Sequence, residues 1–507
     1  MNILRYIFNR TTFMVVMIIL QVQVILTLVR WFGSVAAWIG AALQIISVLL
    51  VLFIVKNSRH LSSDMLWILL ILIAPVPGTA LWLILAGNLV ISRTFRSLVK
   101  TTEASKHYYH QDPEVLAKAE QTSPELRGQF RYIAKDAGFP FYENTGFDYY
   151  GLGEEGYPMM LEELRKAESF IFLEYFIIEE GEMWNGILEI LEEKAKQGLD
   201  VRVLYDDLGS FFTLSAFYAR QLEAKGIHCV PFNRINPILG IIMNHRDHRK
   251  IMVIDGKTAF SGGVNLADEY INAKVKCGHW KDNIIRITGE AVWSYTVMFL
   301  THWNALQPTD DDFTKFHREQ KSAGEADGFI APYGETPLDT EITAQNIYMS
   351  ILNQANDYVY VFTPYLIIDT EFINALILAA KRGVDVKLIT PGIPDKKIVW
   401  QITRSYYRQL MEGGVKIFEY TPGFVHAKVF VSDDRIATVG TVNLDYRSLY
   451  LHFENGTYLV NSKKVRDVRD DVLETLKQCH QMRPDEIKPH FFSEVWLSLL
   501  RVFAPLM

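Results

Sequence analysis

The strongest constraint on this chain is one polar pattern spelled twice on hydrophobic ground. His248-Arg249-Lys250-Ile251-Met252-Val253-Ile254-Asp255 reads HxKxxxxD, and His426-Ala427-Lys428-Val429-Phe430-Val431-Ser432-Asp433 reads the same. Residues two apart on a strand point to one side, so each His and Lys share a face. Packing alone favours Val or Ile at such positions. The surroundings repeat as well: residues 195–204 (AKQGLDVRVL) resemble 380–389 (AKRGVDVKLI), and 262–266 (GGVNL) resemble 440–444 (GTVNL). A period this long marks duplicated domains rather than a solenoid. Two similar halves packed about a pseudo-two-fold axis would bring both motifs into one cleft.

Strand and helix signals alternate from residue 151 onward. Residues 169–178 are β-branched and aromatic, a buried strand. Residues 185–197 carry helical spacing at Ile187, Leu188, Leu191 and Ala195, and Gly198 stops them as a C-cap glycine does. Residues 201–205 read as the next strand, and this β-α-β order predicts parallel pairing. The expected fold class is α/β, with two pseudo-symmetric α/β/α domains after N-terminal transmembrane helices. The expected organisation is a membrane region at 1–92, a connector at 93–150 and a first domain at 151–306. A Pro-, Asp- and Gly-rich linker or surface excursion follows at 307–340, then a second domain at 341–507 with an apolar tail.

The membrane expectation rests on three apolar runs, 13–29, 32–55 and 65–90. About 20 apolar residues cross a bilayer core. The second and third runs meet this without a charged residue; the first is shorter and holds Gln21 and Gln23. Pro75, Pro77 and Gly78 predict a kink in the third. The basic residues flanking the runs do not fit one orientation under the positive-inside rule, so the number of spans stays at two or three. Localisation is expected at the cell membrane, multi-pass, with a cytoplasmic catalytic region preferred. Three widely spaced cysteines, Cys229, Cys277 and Cys479, form no disulfide framework or zinc cluster and fit a reducing compartment. A net charge of −7 argues against a non-specific nucleic-acid binder.

Paired His and Lys suit displacement at a phosphodiester. Such a reaction needs a nucleophile, a proton donor for the leaving oxygen, and fixed positive charge on the non-bridging oxygens. Two histidines can divide the first two roles. Lys250 and Lys428 supply the charge, and Asn265 and Asn443 can add amide donors. This scheme requires no metal or cofactor. A reacting histidine also wants a carboxylate on its other ring nitrogen. Glu454 follows the second motif; Asp282, before an expected strand at 283–288, takes the equivalent place in the first half. Each carboxylate is expected beside the motif of its own half.

On these residues the sequence resembles the phospholipase D superfamily, marked by two HxKxxxxD motifs followed by Asn and a carboxylate. More closely it resembles bacterial cardiolipin synthases. The apolar N-terminal hairpin, Gly440-Thr441-Val442-Asn443-Leu444-Asp445 with Arg447-Ser448-Leu449, and the tail ending Phe503-Ala504-Pro505-Leu506-Met507 all take part. The resemblance implies phosphatidyl transfer between two phosphatidylglycerol molecules in the bilayer, with release of glycerol, through a phosphatidyl-histidine and without a metal. It implies His248 as nucleophile and His426 as acid and base. It counts Asp255 and Asp433 with the motif residues, although Asp255-Gly256 points to a turn-capping role. The family carries two N-terminal spans, so the first run is extra.

Other polar residues read as structural. His245 and Asp247 are expected on a surface loop leading into a strand, Asp206-Asp207 at a loop end, and His228, His279 and His452 receive no role. The tail from 493 is expected either in the membrane interface or packed back on the catalytic region. The competing functions are a phospholipid-hydrolysing phospholipase D with the same site, a nuclease, and an inactive membrane scaffold. Apolar runs and acidic balance oppose the nuclease; two intact motifs oppose the scaffold.

Overall fold

The computed structural model describes residues 23, 27, 37–57, 61–85, 93–234, 245–318, 326–487 and 491–503 of the 507-residue chain. Its centre is two mixed sheets of matching strand order. The first uses β1 (Thr145–Tyr150), β2 (Phe170–Tyr175), β3 (Asp200–Asp206), β4 (His228–Phe232), β5 (Lys250–Ile254), β6 (Thr258–Gly262) and, after the short β7 (His279–Lys281), β8 (Ile284–Gly289). Their order is β1-β8-β6-β5-β2-β3-β4.

The second half contributes β9 (Phe329–Glu335), β10 (Tyr358–Phe362), β11 (Leu366–Ile367), β12 (Asp385–Pro391), β13 (Lys416–Tyr420), β14 (Gly423–Val425), β15 (Val429–Ser432), β16 (Ile436–Gly440), β17 (Leu444–Asp445), β18 (Glu454–Val460) and β19 (Cys479–Gln481). Its main sheet runs β9-β18-β16-β15-β10-β12-β13-β19, the same order with one strand added at the edge. In both, the β-α-β unit pairs in parallel, β2 with β3 and β10 with β12, while each motif strand, β5 or β15, joins antiparallel. β1 and β9 lie in the segments expected as connector and linker; each is the edge strand of its sheet.

Helices cover both faces of each sheet. One apolar cluster lies between the halves, joining Ile251, Val253 and Ile285 to Val429, Val431 and Val439. The helix Val292–Leu306, buried almost throughout, sits in it. The outer clusters hold Ile187, Leu191 and Val203 on one side and Leu376, Val386 and Tyr407 on the other. Motif strands buried on both faces explain their continuous Val/Ile/Phe spelling.

Of the apolar runs, 13–29 lies almost wholly outside the described residues. The second enters as the helix Ala37–Asn57. The third, expected as one kinked span, is divided at Ala74 into Leu61–Ile73 and Pro75–Leu85. Pro75 opens a helix well because its missing N–H falls at an unpaired position. Gly78 is needed at the bend, since a Cβ there would lie 2.4 Å from the Leu70 carbonyl oxygen. Over the described side chains, which in the first of these helices begin at Gln44, no helix is long and apolar enough to cross a membrane. The C-terminal helix Phe491–Phe503 packs back on the catalytic region, one of the two expected placements, and leaves an apolar face exposed. Arg501 stacks 4.0 Å over the Tyr406 ring and Leu500 is buried, while Val495, Trp496 and Leu499 face outward.

Asp255 and Asp433 end the motif strands at positive φ (54° and 53°). The Asp255 carboxylate accepts N–H bonds from Glu168, Ser169 and Phe170 at 2.7–2.9 Å. Asp433 accepts from Asn356, Asp357 and Tyr358 at 2.8–3.0 Å. Each motif Asp thus fastens the start of the neighbouring strand, which removes it from the reacting groups. Asp255→Ala or Asp433→Ala loses three charge-assisted bonds and the tolerance of Asp for this backbone region. Each should cost about 2–4 kcal/mol of stability, read as a lowered thermal midpoint, and Asp255→Asn should cost less. Unchanged midpoints would remove the fastening role.

Candidate active site

The histidines are placed by backbone pairing between the halves. Asp247 bridges Phe453 in parallel, and the His248 N–H donates to the Phe453 carbonyl at 2.9 Å. In the mirrored position β7 pairs with β14, and the His426 N–H donates to the Lys281 carbonyl at 2.8 Å. Each motif therefore begins beside the carboxylate segment of the opposite half.

The side chains follow the backbone across. His248 Nδ1 lies 2.9 Å from both oxygens of Glu454, and His426 Nδ1 lies 2.6 Å from Asp282 Oδ2. This corrects the same-half pairing expected from sequence. The cause is the exchange of short inter-half ladders, which carries 453–454 to 247–248 and 281–282 to 425–426. Gly263 permits the approach in one half, since a Cβ there would fall 1.9 Å from Asp282 Oδ1. Its counterpart Thr441 instead donates its hydroxyl to Glu454 Oε2. With each Nδ1 facing a carboxylate, each Nε2 is left for a ligand.

The motif lysines are buried and turn back to their own histidines. Lys250 Nζ donates to the His248 carbonyl at 2.7 Å, and Lys428 Nζ to the His426 carbonyl. Aromatic rings wall the site. Phe176 lies 4.9 Å from His248, and Tyr270 and Trp280 lie 5.3 and 5.7 Å from His426. Removal from water decides the protonation. Burial and Lys250 hold His248 well below its usual range, and burial with Lys428 lowers His426 to about 4. Burial brings Lys428 to about 7 and Lys250 to about 8 against the pull of nearby carboxylates. Asp282 is held low, with His426, Lys428 and the Asn283 N–H outweighing burial, while burial pushes Glu454 well up. The two pairs therefore hold protons differently despite their pseudo-symmetry.

The two asparagines are held differently. Asn265 accepts the Ile177 N–H at 3.1 Å and donates to the Tyr270 hydroxyl at 2.8 Å, so it orients a ring beside His426. The Asn443 side-chain oxygen is buried without a hydrogen bond. Asp247 is fully buried rather than on a surface loop, because its segment pairs across the halves. His302 Nδ1 lies 2.8 Å from Glu174 Oε1 and 3.6 Å from Asp247 Oδ2, with Arg249 Nη1 3.9 Å from Glu174. Asp206 accepts N–H bonds from Leu208, Gly209 and Asp247, tying the loop end to the approach to His248. Two three-residue groups among the described residues have metal-ligating spacing, His248/His452/Glu454 and Glu174/Asp247/His302. Lys250 and Lys428 beside the first and Arg249 beside the second already supply positive charge there. Sequence reasoning missed His452, whose ring centroid lies 5.7 Å from that of His248. Only its position two residues before Glu454 pointed to it.

The family described as cardiolipin synthase, PLD-like domain, matches residues 160–301 and 348–476. The chain is 45% identical to an uncharacterized Streptococcus mutans protein over 459 residues, covering 90% of this chain and 99% of that one. It is 31% identical to a cardiolipin synthase of Halalkalibacterium halodurans over 511 residues, covering 98% and 100%. The solved phosphatidylserine synthase of Haemophilus influenzae shares the fold, with a TM-score of 0.55 and 16% identity over 71% of this chain and 93% of that one. The chain thus belongs to the cardiolipin synthase family, phosphatidyltransferases built on phospholipase D-like domains.

Proposed function

We propose that this chain is a cardiolipin synthase, which moves a phosphatidyl group between two phosphatidylglycerol molecules and releases glycerol. The observation that carries the reading is the crossed pair of histidine–carboxylate contacts at 2.6 and 2.9 Å, flanked by two buried lysines. The names of the relatives support the lipid substrate.

In this reading His248 Nε2 attacks phosphorus. A P–N bond forms, the P–O bond to the head-group glycerol breaks, and His426 gives a proton to the departing oxygen. His426 then takes the proton of a second phosphatidylglycerol hydroxyl. That oxygen attacks phosphorus and the P–N bond breaks, leaving cardiolipin and free His248. Lys250 and Lys428 face the non-bridging oxygens. The entering anion offsets both ammonium groups and strengthens the hold of His426 on its proton. The carboxylates fix each ring and stabilise its charged form. Charge needed at phosphorus is supplied by this chain's own groups.

In this reading the reaction takes place at the cell membrane, with the N-terminal helices as the anchor. Ile45, Leu49, Phe53 and Ile73 are 62%, 59%, 55% and 80% exposed, an apolar surface that a bilayer would cover. Cys229, Cys277 and Cys479 are free thiols, which fits a catalytic region on the cytoplasmic side.

Purified protein given phosphatidylglycerol alone should yield cardiolipin and glycerol in equal amounts by mass spectrometry; phosphatidic acid as sole product would replace the transferase with a hydrolase. His426→Asn should accumulate a phosphorus adduct on His248, mapped by peptide mass; an adduct on His426 in His248→Asn would reverse the two roles. Asp282→Asn or Glu454→Gln, which upsets the tautomer, should lower kcat by about 10²–10⁴. As pH rises through about 7 and about 8, Lys428 and then Lys250 lose their charge, so kcat/KM should fall across that window. A profile level to about pH 9 would remove the lysines as counter-charge.

A further inference from the structure

His452 has no task in the chemistry above, yet its ring centroid lies 5.7 Å from that of His248. The residue is 8% exposed, and neither ring nitrogen makes a hydrogen bond. Its closest carboxylate contact is Glu454 Oε1, 3.7 Å from Nδ1, and that carboxylate is already held by His248 and Thr441. One ring nitrogen of His452, one of His248 and an oxygen of Glu454 all lie within 4.8 Å of one another. The backbone fixes this position, since the His452 N–H donates to the Arg447 carbonyl at 2.8 Å and His248 is clamped to Phe453.

A histidine used only for packing would have a partner for at least one nitrogen, because an unpaired buried donor is costly. Two imidazoles and a carboxylate could in principle attract a divalent cation. Charge decides against this. Burial first, and then the charges of Arg447, His245, Lys250 and Arg246, hold His452 well below its ordinary range. The environment favours an anion, and the ring reaches it as a neutral imidazole with one N–H to give.

We propose that His452 is a third imidazole in contact with substrate, donating its ring N–H to an oxygen of the phosphodiester on the His248 side. The contact rests on the reading of His248 and His426 as the reacting pair. It adds a neutral donor to a site whose other donors to phosphate are charged, and it assigns the unpaired nitrogen to the bound anion.

The test uses the full chain with His452→Leu, His452→Asn and His452→Gln, each checked by thermal midpoint. Leu keeps bulk and loses the donor; Asn and Gln restore an N–H near the δ or ε position. Inorganic phosphate is the probe, as a competitive inhibitor and by direct titration in a His248→Asn background, where turnover is not needed. His452→Leu should weaken phosphate about tenfold and lower kcat/KM by about 10–100-fold, and one amide variant should recover most of both. Phosphate affinity within twofold of the parent in His452→Leu would overturn the proposal. Equal losses in all three variants would reduce His452 to packing. Retained turnover in His248→Asn would instead defeat the reading of the reacting pair, while the phosphate titration still reports on His452.

Discussion

Each histidine of the site leans on a carboxylate from the other half of the chain, and the rest of the architecture serves that exchange. The contacts require Asp247–Phe453 and β7–β14 to form, which requires the two sheets to be packed in one orientation. The shared apolar cluster and the buried helix Val292–Leu306 supply that packing. Neither half holds a complete His–carboxylate pair. Assembly of the site and assembly of the interface are therefore one event.

Such an interface carries unusual amounts of buried charge. An unpaired ion taken from water is expensive, so buried charges must be compensated where they lie. Here His248 with Glu454 and His426 with Asp282 share hydrogen bonds, while Glu174, Asp247, His302 and Arg249 form a separate ionic group. Burial lowers the proton affinity of both motif lysines against the pull of Glu454 and Asp282. A phosphodiester monoanion brings the charge that these groups lack. Phe176, Tyr270 and Trp280 line the histidines with aromatic surface.

Much of the fold was legible because duplicated spelling means duplicated structure. The repeated helix-strand text at 195–204 and 380–389 leads in both halves to matching parallel strands, β3 and β12. The edge strands β1 and β9 escaped because each takes its ladder from a strand far along the chain, β8 or β18, and local pattern does not reveal such a partner. Asp255 and Asp433 show the same division. At Asp255 the Asp-Gly spelling revealed a turn, but neither motif showed that three backbone N–H groups at the entry to a neighbouring strand converge on its carboxylate.

The sequence by itself determined which chemical groups the site would contain. HxKxxxxD on a buried strand fixes His and Lys on one face by the two-residue period of the pleat, and the repeat doubles it. Tertiary structure alone decided how those groups are shared. It set Glu454 against His248 and Asp282 against His426, turned Asn265 toward Tyr270, and left His452 with two unpaired nitrogens. The physical reason is that side-chain direction within a strand is local, whereas a pairing between halves depends on how two sheets dock.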